Sequence, residues 1–136
     1  MTPAPQAISY PVLLEDFPAP QLRAYPKYTV VAEKFHAVCL LGLANTRMKD
    51  YFDLGVLLDD TTLDPCVVRR AIEATFERRK MPMPTTVPVG FTDTFAGDAT
   101  KQTQWKAFLK KNQLDPVLLA DGVNKLRGKF HDIGVI

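Results

Sequence analysis

The residues of this chain best suited to chemistry are charges set among apolar neighbours. Glu33 and Lys34 interrupt the run "VVAEKFHAV", and Arg47, Lys49, Asp50 and Asp53 fall within "RMKDYFDL". Lysine and arginine hold phosphate or carboxylate groups, and carboxylates hold a divalent metal or a proton. On a helix Arg47, Asp50 and Asp53 share a face, because residues three apart are neighbours, while Lys49 lies four before Asp53 and to one side. Two readings are compatible with that spacing. One is an internal salt-bridge network that fixes how two helices pack. The other is an electrostatic cradle, with Lys34 holding an anion such as a phosphate and Asp50 or Asp53 serving a metal or a proton.

These residues need helices to position them. Thr29 to Leu43 carries apolar residues almost all round, the pattern of a helix buried on most sides. Gly42 marks its exit, and a second helix is expected from Arg47 to Leu58 with Asn45 or Thr46 as cap. The connection "GLAN" is short, so the two helices should pack as an antiparallel pair, with Lys34 facing Asp50. A third helix starts at "DPCVV", with Asp64 capping and Pro65 in the first turn, and buries Val68, Ile72 and Phe76. A proline-rich loop, "MPMPTTVPVGFTD", has no helical period. A fourth helix covers Thr100 to Lys111 with Trp105, Phe108 and Leu109 inward, and a fifth starts at Asp115 and Pro116 and ends at Gly128.

The first residues read differently. Pro3, Pro5, Pro11, Pro18, Pro20 and Pro26 rule out a continuous helix, and "YPVLL" and "QLRAY" are short extended candidates. The expected organisation is a proline-rich extended or β-hairpin segment over residues 1–26 and a helical domain over 27–136. The fold class is mainly α, a bundle of about five helices.

Composition narrows the function classes. Of 136 residues 46% are hydrophobic and 24% charged, with a net charge of +2, so the chain can build a core and its charge gives no reason to expect a nucleic-acid or membrane-surface protein. Cys39 and Cys66 lie in apolar helical patterns and read as buried free thiols, which suit a reducing cytoplasm. His36 and His131 are too far apart for a zinc pattern, and no apolar run is long enough to cross a bilayer. The basic groups at Arg69, Arg70 and Arg78 to Lys80 read first as a solvated face with dipole matching at a helix end, and only secondarily as RNA contacts.

"YPVLLEDFPAPQLRAYPKYTVVAEKFHAVCLLGLANTRMKDYFDL" closely resembles the later half of the AbiEii/AbiGii-type nucleotidyltransferase toxins, and the likeness continues through "AIEATFERR" and "KQTQWKAFLKK". The resemblance implies a DNA polymerase β-like nucleotidyltransferase ancestry with four motifs. Lys34 in "AEK" matches the third, whose lysine helps hold the nucleotide triphosphate. Arg47, Lys49 and Asp50 match the fourth, an Arg-x-Lys-Asp element whose aspartate is needed for transfer, with Asp53 just beyond. The resemblance therefore implies Lys34 and Asp50 as catalytic residues, Lys34, Arg47 and Lys49 as nucleotide-binding residues, and Glu33 and Asp53 in support. It also implies an antitoxin as partner and RNA ends as acceptors.

The family's two other motifs, a Gly-Ser turn and an Asp-x-Asp pair on a sheet, have no counterpart: the sequence contains neither a Gly-Ser pair nor an Asp-x-Asp. Nucleotidyl transfer needs Mg²⁺ held by converging carboxylates. The expectation is thus a partial or degenerate nucleotidyltransferase, without the family's sheet and inactive by itself. Mg²⁺ and a nucleoside triphosphate (NTP) belong only to a complete enzyme, and neither is expected on this chain alone. The alternative is a helical interaction module that docks a separate N-terminal half, or a second copy of itself, through the extended segment.

Overall fold

The computed structural model describes residues 25–136. Helix α1 (Tyr25–Leu41) leads through a 3₁₀ turn (Gly42–Ala44) into α2 (Met48–Leu58) and α3 (Pro65–Arg78). A second 3₁₀ turn (Val89–Phe91) and the four-residue α4 (Asp93–Ala96) precede α5 (Ala99–Lys111) and α6 (Leu119–Ile133). No strand occurs among the described residues. The hairpin expected for residues 1–26 lies outside them except at its end, where Tyr25 and Pro26 already belong to α1. Proline is tolerated there because the first turn of a helix has no partner for its amide anyway.

The five long helices are present, with three differences from expectation. The stretch read as an unbroken loop contains the second 3₁₀ turn and α4. The last helix starts at Leu119, not at Asp115, and no side chain caps it. It also runs straight through Gly128 and stops at Gly134, whose φ of 93° is the left-handed conformation that terminates helices. One glycine inside a helix is a small cost, roughly 1 kcal/mol against alanine, which the burial of Leu126 and Phe130 on either side of it outweighs. Asp64, by contrast, caps α3 as its sequence implies: its carboxylate accepts the Cys66 amide at 2.8 Å. Cys66 itself is exposed and Cys39 half-buried, so the expectation of two buried thiols fails. Cys66 sits at the start of the helix, before the apolar face turns inward at Val67 and Val68.

The core forms where α1 crosses the others. Tyr28, Val31, Ala32, Phe35 and Val38 of α1 are buried. The Phe35 ring lies 5.8 Å from Phe76 of α3, 5.7 Å from Phe91 of the second 3₁₀ turn and 4.5 Å from Phe130 of α6. Tyr51 of α2 stacks on Phe95 of α4 at 4.9 Å, and its hydroxyl donates to the Gly90 carbonyl at 2.9 Å. The proline-rich stretch is thus fastened at Val89–Phe91 against both site-bearing helices. Trp105 is buried as expected and donates to the Val117 carbonyl at 2.9 Å, whereas Phe108 is only half-buried.

A methyl group on Gly90 would meet Val38 Cγ1 at 2.5 Å and the Tyr51 hydroxyl at 2.7 Å, whereas one on Gly128 meets nothing within 4 Å. Gly90→Ala should therefore lower the unfolding free energy by about 1–3 kcal/mol through overpacking. Gly128→Ala should raise it by about 0.5–1 kcal/mol. Urea melts of the two variants check both signs; a destabilising Gly128→Ala would mean that the helix does end there.

Candidate functional site

Lys34 leaves α1 on the side away from Phe35, since consecutive helical residues point about 100° apart. The short 3₁₀ elbow, entered through Gly42 at φ 52°, folds α2 back so that the Lys34 ammonium meets Asp50. Lys34 Nζ donates to Asp50 Oδ1 at 2.9 Å and lies 3.2 Å from Asp53. Arg47 Nε stands 3.2 Å from the second Asp50 oxygen, and Lys49 pairs with Asp53 on the outer side. Asp50 is 1% exposed, so both its cations are needed to offset the loss of water around a buried carboxylate. Its Oδ2 has no well-directed hydrogen bond despite the nearby guanidinium, an orphaned buried acceptor at the centre of the cluster.

The neighbouring Glu33 turns the other way. It accepts from Arg78 and Arg79 at the end of α3, with Arg79 Nε at 3.0 Å. Their sequence pattern alone places those arginines on a solvated face. They do remain accessible, but they converge on Glu33, and only the α1–α3 contact reveals it. A groove of about 790 Å³ joins the two clusters, lined by Val30, Lys34, Ala37, Arg47 and Arg79 among others. Lys34, Arg47, Arg78 and Arg79 line it against one carboxylate, Glu33, so the groove carries an excess of positive charge over an apolar floor of Val30, Ala37, Leu40 and Leu41. Arg47 and Lys49, 60% and 71% exposed, can swing toward a ligand, whereas Lys34 at 18% is held in place.

His36 is buried beside these groups with its ring edge against Phe76 at 5.0 Å, a packing residue as its position suggests. Burial pushes its pKa below the ordinary 6.5, and the Arg79 and Arg78 charges add to that against the opposing Glu33. At Asp53 burial works upward, but the hydrogen bonds and charges of Lys49 and Lys34 together outweigh it and hold the carboxyl below its usual 3.8. Burial pushes the Cys39 thiol up to about 12, which removes it as a nucleophile at neutral pH.

A family model described as "Nucleotidyl transferase AbiEii toxin, Type IV TA system" matches residues 1–124. The chain belongs to that family. No curated protein and no solved structure matches it. The match spans α1 and α2 with their charged cluster and all of α5. Among the described residues of this AbiEii-family chain, no group of three or more His, Cys, Asp or Glu side chains is placed to hold a metal ion. Asp50 and Asp53 do not fit Mg²⁺ as they stand: their oxygens face Lys34, Arg47 and Lys49, and a dication would enter a ring of positive charge. No helix among the described residues is long and apolar enough to cross a membrane.

The pKa directions fix the sign of the acid response. For both His36 and Asp53 the unfolded chain takes up its proton first, so folding stability contributed above the unfolded pKa is lost as pH falls through the lower folded value. Loss through His36 begins on acidification below 6.5, and loss through Asp53 begins below 3.8. Guanidinium melts across this range should show His36→Gln flattening the upper part of the decline and Asp53→Asn the lower part. Equal slopes in wild type and His36→Gln between pH 6.5 and 5 would refute the first assignment.

Proposed function

We propose that this chain contributes the cationic wall of a nucleoside-triphosphate pocket and does not carry out nucleotidyl transfer unaided. One observation supports the reading above the others: Lys34, distant in sequence, meets Asp50 at 2.9 Å where Arg47 holds the other carboxylate oxygen at 3.2 Å, beside an open groove with surplus positive charge. Buried Asp50 holds Lys34 and Arg47 in position. The Lys34 ammonium then offers its remaining donor capacity to a phosphate oxygen, and the exposed Arg47 and Lys49 close over the same group as a bidentate fork and a point charge. Asp50 rather than Asp53 takes the structural role because it is the fully enclosed one, facing a cation on either side.

Transfer requires the in-line displacement at the α-phosphorus to be stabilised by divalent ions on converging carboxylates. The described residues offer no such set, and the sequence has no Asp-x-Asp to supply one. The family's place in a type IV toxin–antitoxin system makes an antitoxin a proposed counterpart.

Titration calorimetry with ATP, GTP, CTP and UTP tests binding. Lys34→Ala should weaken the best-bound nucleotide about tenfold or more, the loss of one charge-assisted hydrogen bond of roughly 1.5–3 kcal/mol. Identical heats for wild type and Lys34→Ala would remove Lys34 from the site. Incubation with labelled NTPs, Mg²⁺ and total tRNA should leave the RNA unlabelled, and labelled RNA would overturn the inactivity.

A second reading, a helical interaction module, draws on the outer face of α1 and its elbow. Val30, Leu40 and Leu43 there are 40%, 62% and 45% exposed. Val30 and Leu40 border the same groove, and exposed apolar side chains gathered in one patch mark a docking surface more often than scattered ones do. Light scattering at rising concentration separates the two readings: a strict monomer speaks against self-association, and dimerisation abolished by Leu40→Lys speaks for it.

A further inference from the structure

A buried lysine outside the cluster has no evident reason to be a lysine. Lys101, on α5, is 5% exposed. Among the described residues no carboxylate pairs with it. Its ammonium instead donates to the main-chain carbonyl of Asn45 at 2.7 Å, reaches Gln104 Oε1 at 3.4 Å, and stands 5.7 Å over the Phe95 ring. An enclosed ammonium gives up its hydration, and a leucine or methionine would fill the same space without that penalty.

Its target explains the choice. Asn45 is the pivot of the elbow between α1 and α2. Its amide donates back to the Gly42 carbonyl at 3.1 Å, and its side-chain Oδ1 accepts the Arg47 amide at 2.8 Å. It is fully buried. A charged donor on its carbonyl fixes the peptide plane from outside, and the fixed Asn45 in turn holds the main chain of Arg47, the first residue of the cluster on that side. The links run from Lys101 through Asn45 and Arg47 to Asp50 and Lys34. Gln104 and the Phe95 face keep the ammonium from turning away, the ring by attracting the cation.

We infer that Lys101 is a positioning residue for the Lys34–Arg47–Asp50 site: its ammonium locks the elbow through the Asn45 carbonyl and so sets the distance between the two helices' charged groups. The nucleotide arm of the test rests on the phosphate-pocket reading above; the exchange arm does not.

Lys101→Met keeps length and volume while removing charge and donor. Ile72→Val, in the α3 core and away from the elbow, serves as a control for simple loss of stability. In amide hydrogen exchange of the full chain, Lys101→Met should speed exchange at Arg47 about tenfold, while α3 amides change no more than in Ile72→Val. Nucleotide affinity should fall by a similar factor in Lys101→Met, with Lys101→Arg recovering part of it, and should stay unchanged in Ile72→Val. Unchanged Arg47 exchange in a folded Lys101→Met would overturn the inference. So would an affinity loss matched by Ile72→Val, which reflects stability and not position. If Lys101→Met fails to fold, Lys101→Gln carries the same comparison. A wild type that binds no nucleotide refutes the phosphate-pocket reading, and the Arg47 exchange rates still decide the role of Lys101.

Discussion

Phe35 is the contact on which the molecule turns. Its ring touches one phenylalanine from each of α3, α6 and the second 3₁₀ turn, all of them fully enclosed. Aromatic rings bury more area than any other side chain and prefer tilted or offset contacts, so a cluster of four fixes orientation as well as distance. Once Phe35 is seated, its neighbour Lys34 has one direction left. The charged cluster is therefore a by-product of where the largest apolar group of α1 must go, and its geometry inherits the rigidity of the core.

What the cluster can hold follows from its balance of charge. A carboxylate enclosed between an ammonium and a guanidinium is already satisfied electrostatically. It supports those cations and leaves their outward donors to recruit an anion. The same balance disfavours a dication, which would need the carboxylates released. Phosphate binding and metal binding thus make opposite demands on Asp50 and Asp53, and the proposed phosphate site is the one that would keep them paired as they are.

Much of this was readable in the residues. The facing of Lys34 and Asp50 followed from helical spacing and a short connection, because an elbow of a few residues leaves two helices few ways to pack. The Asp64–Pro65 start of α3 was legible because capping is local chemistry. The same Asp-Pro signal misleads at Asp115, where the chain stays out of helix until Leu119 while Trp105 anchors the Val117 carbonyl, a long-range tie that outranks a local preference. Gly128 misled for a related reason: burial of its neighbours overrides its weak helix propensity. The bond from Lys101 to Asn45 and the convergence of Arg78 and Arg79 on Glu33 had no local signature. Each joins positions far apart in the chain, and only the packing of α1 against α3 and of α5 against the elbow brings them together.

Glu33 and Lys34 are consecutive, opposite in sign, and committed to different neighbours: one to the end of α3, the other to α2. A helix with apolar residues all round has little in its shape to stop it rolling. Turning α1 by one residue in one sense would bring the Glu33 carboxylate toward Asp50, and in the other sense the Lys34 ammonium toward Arg79, so either roll meets repulsion. The dipeptide thereby acts as a keyway, admitting one rotational setting of the central rod by polarity where greasy surfaces alone would have accepted several.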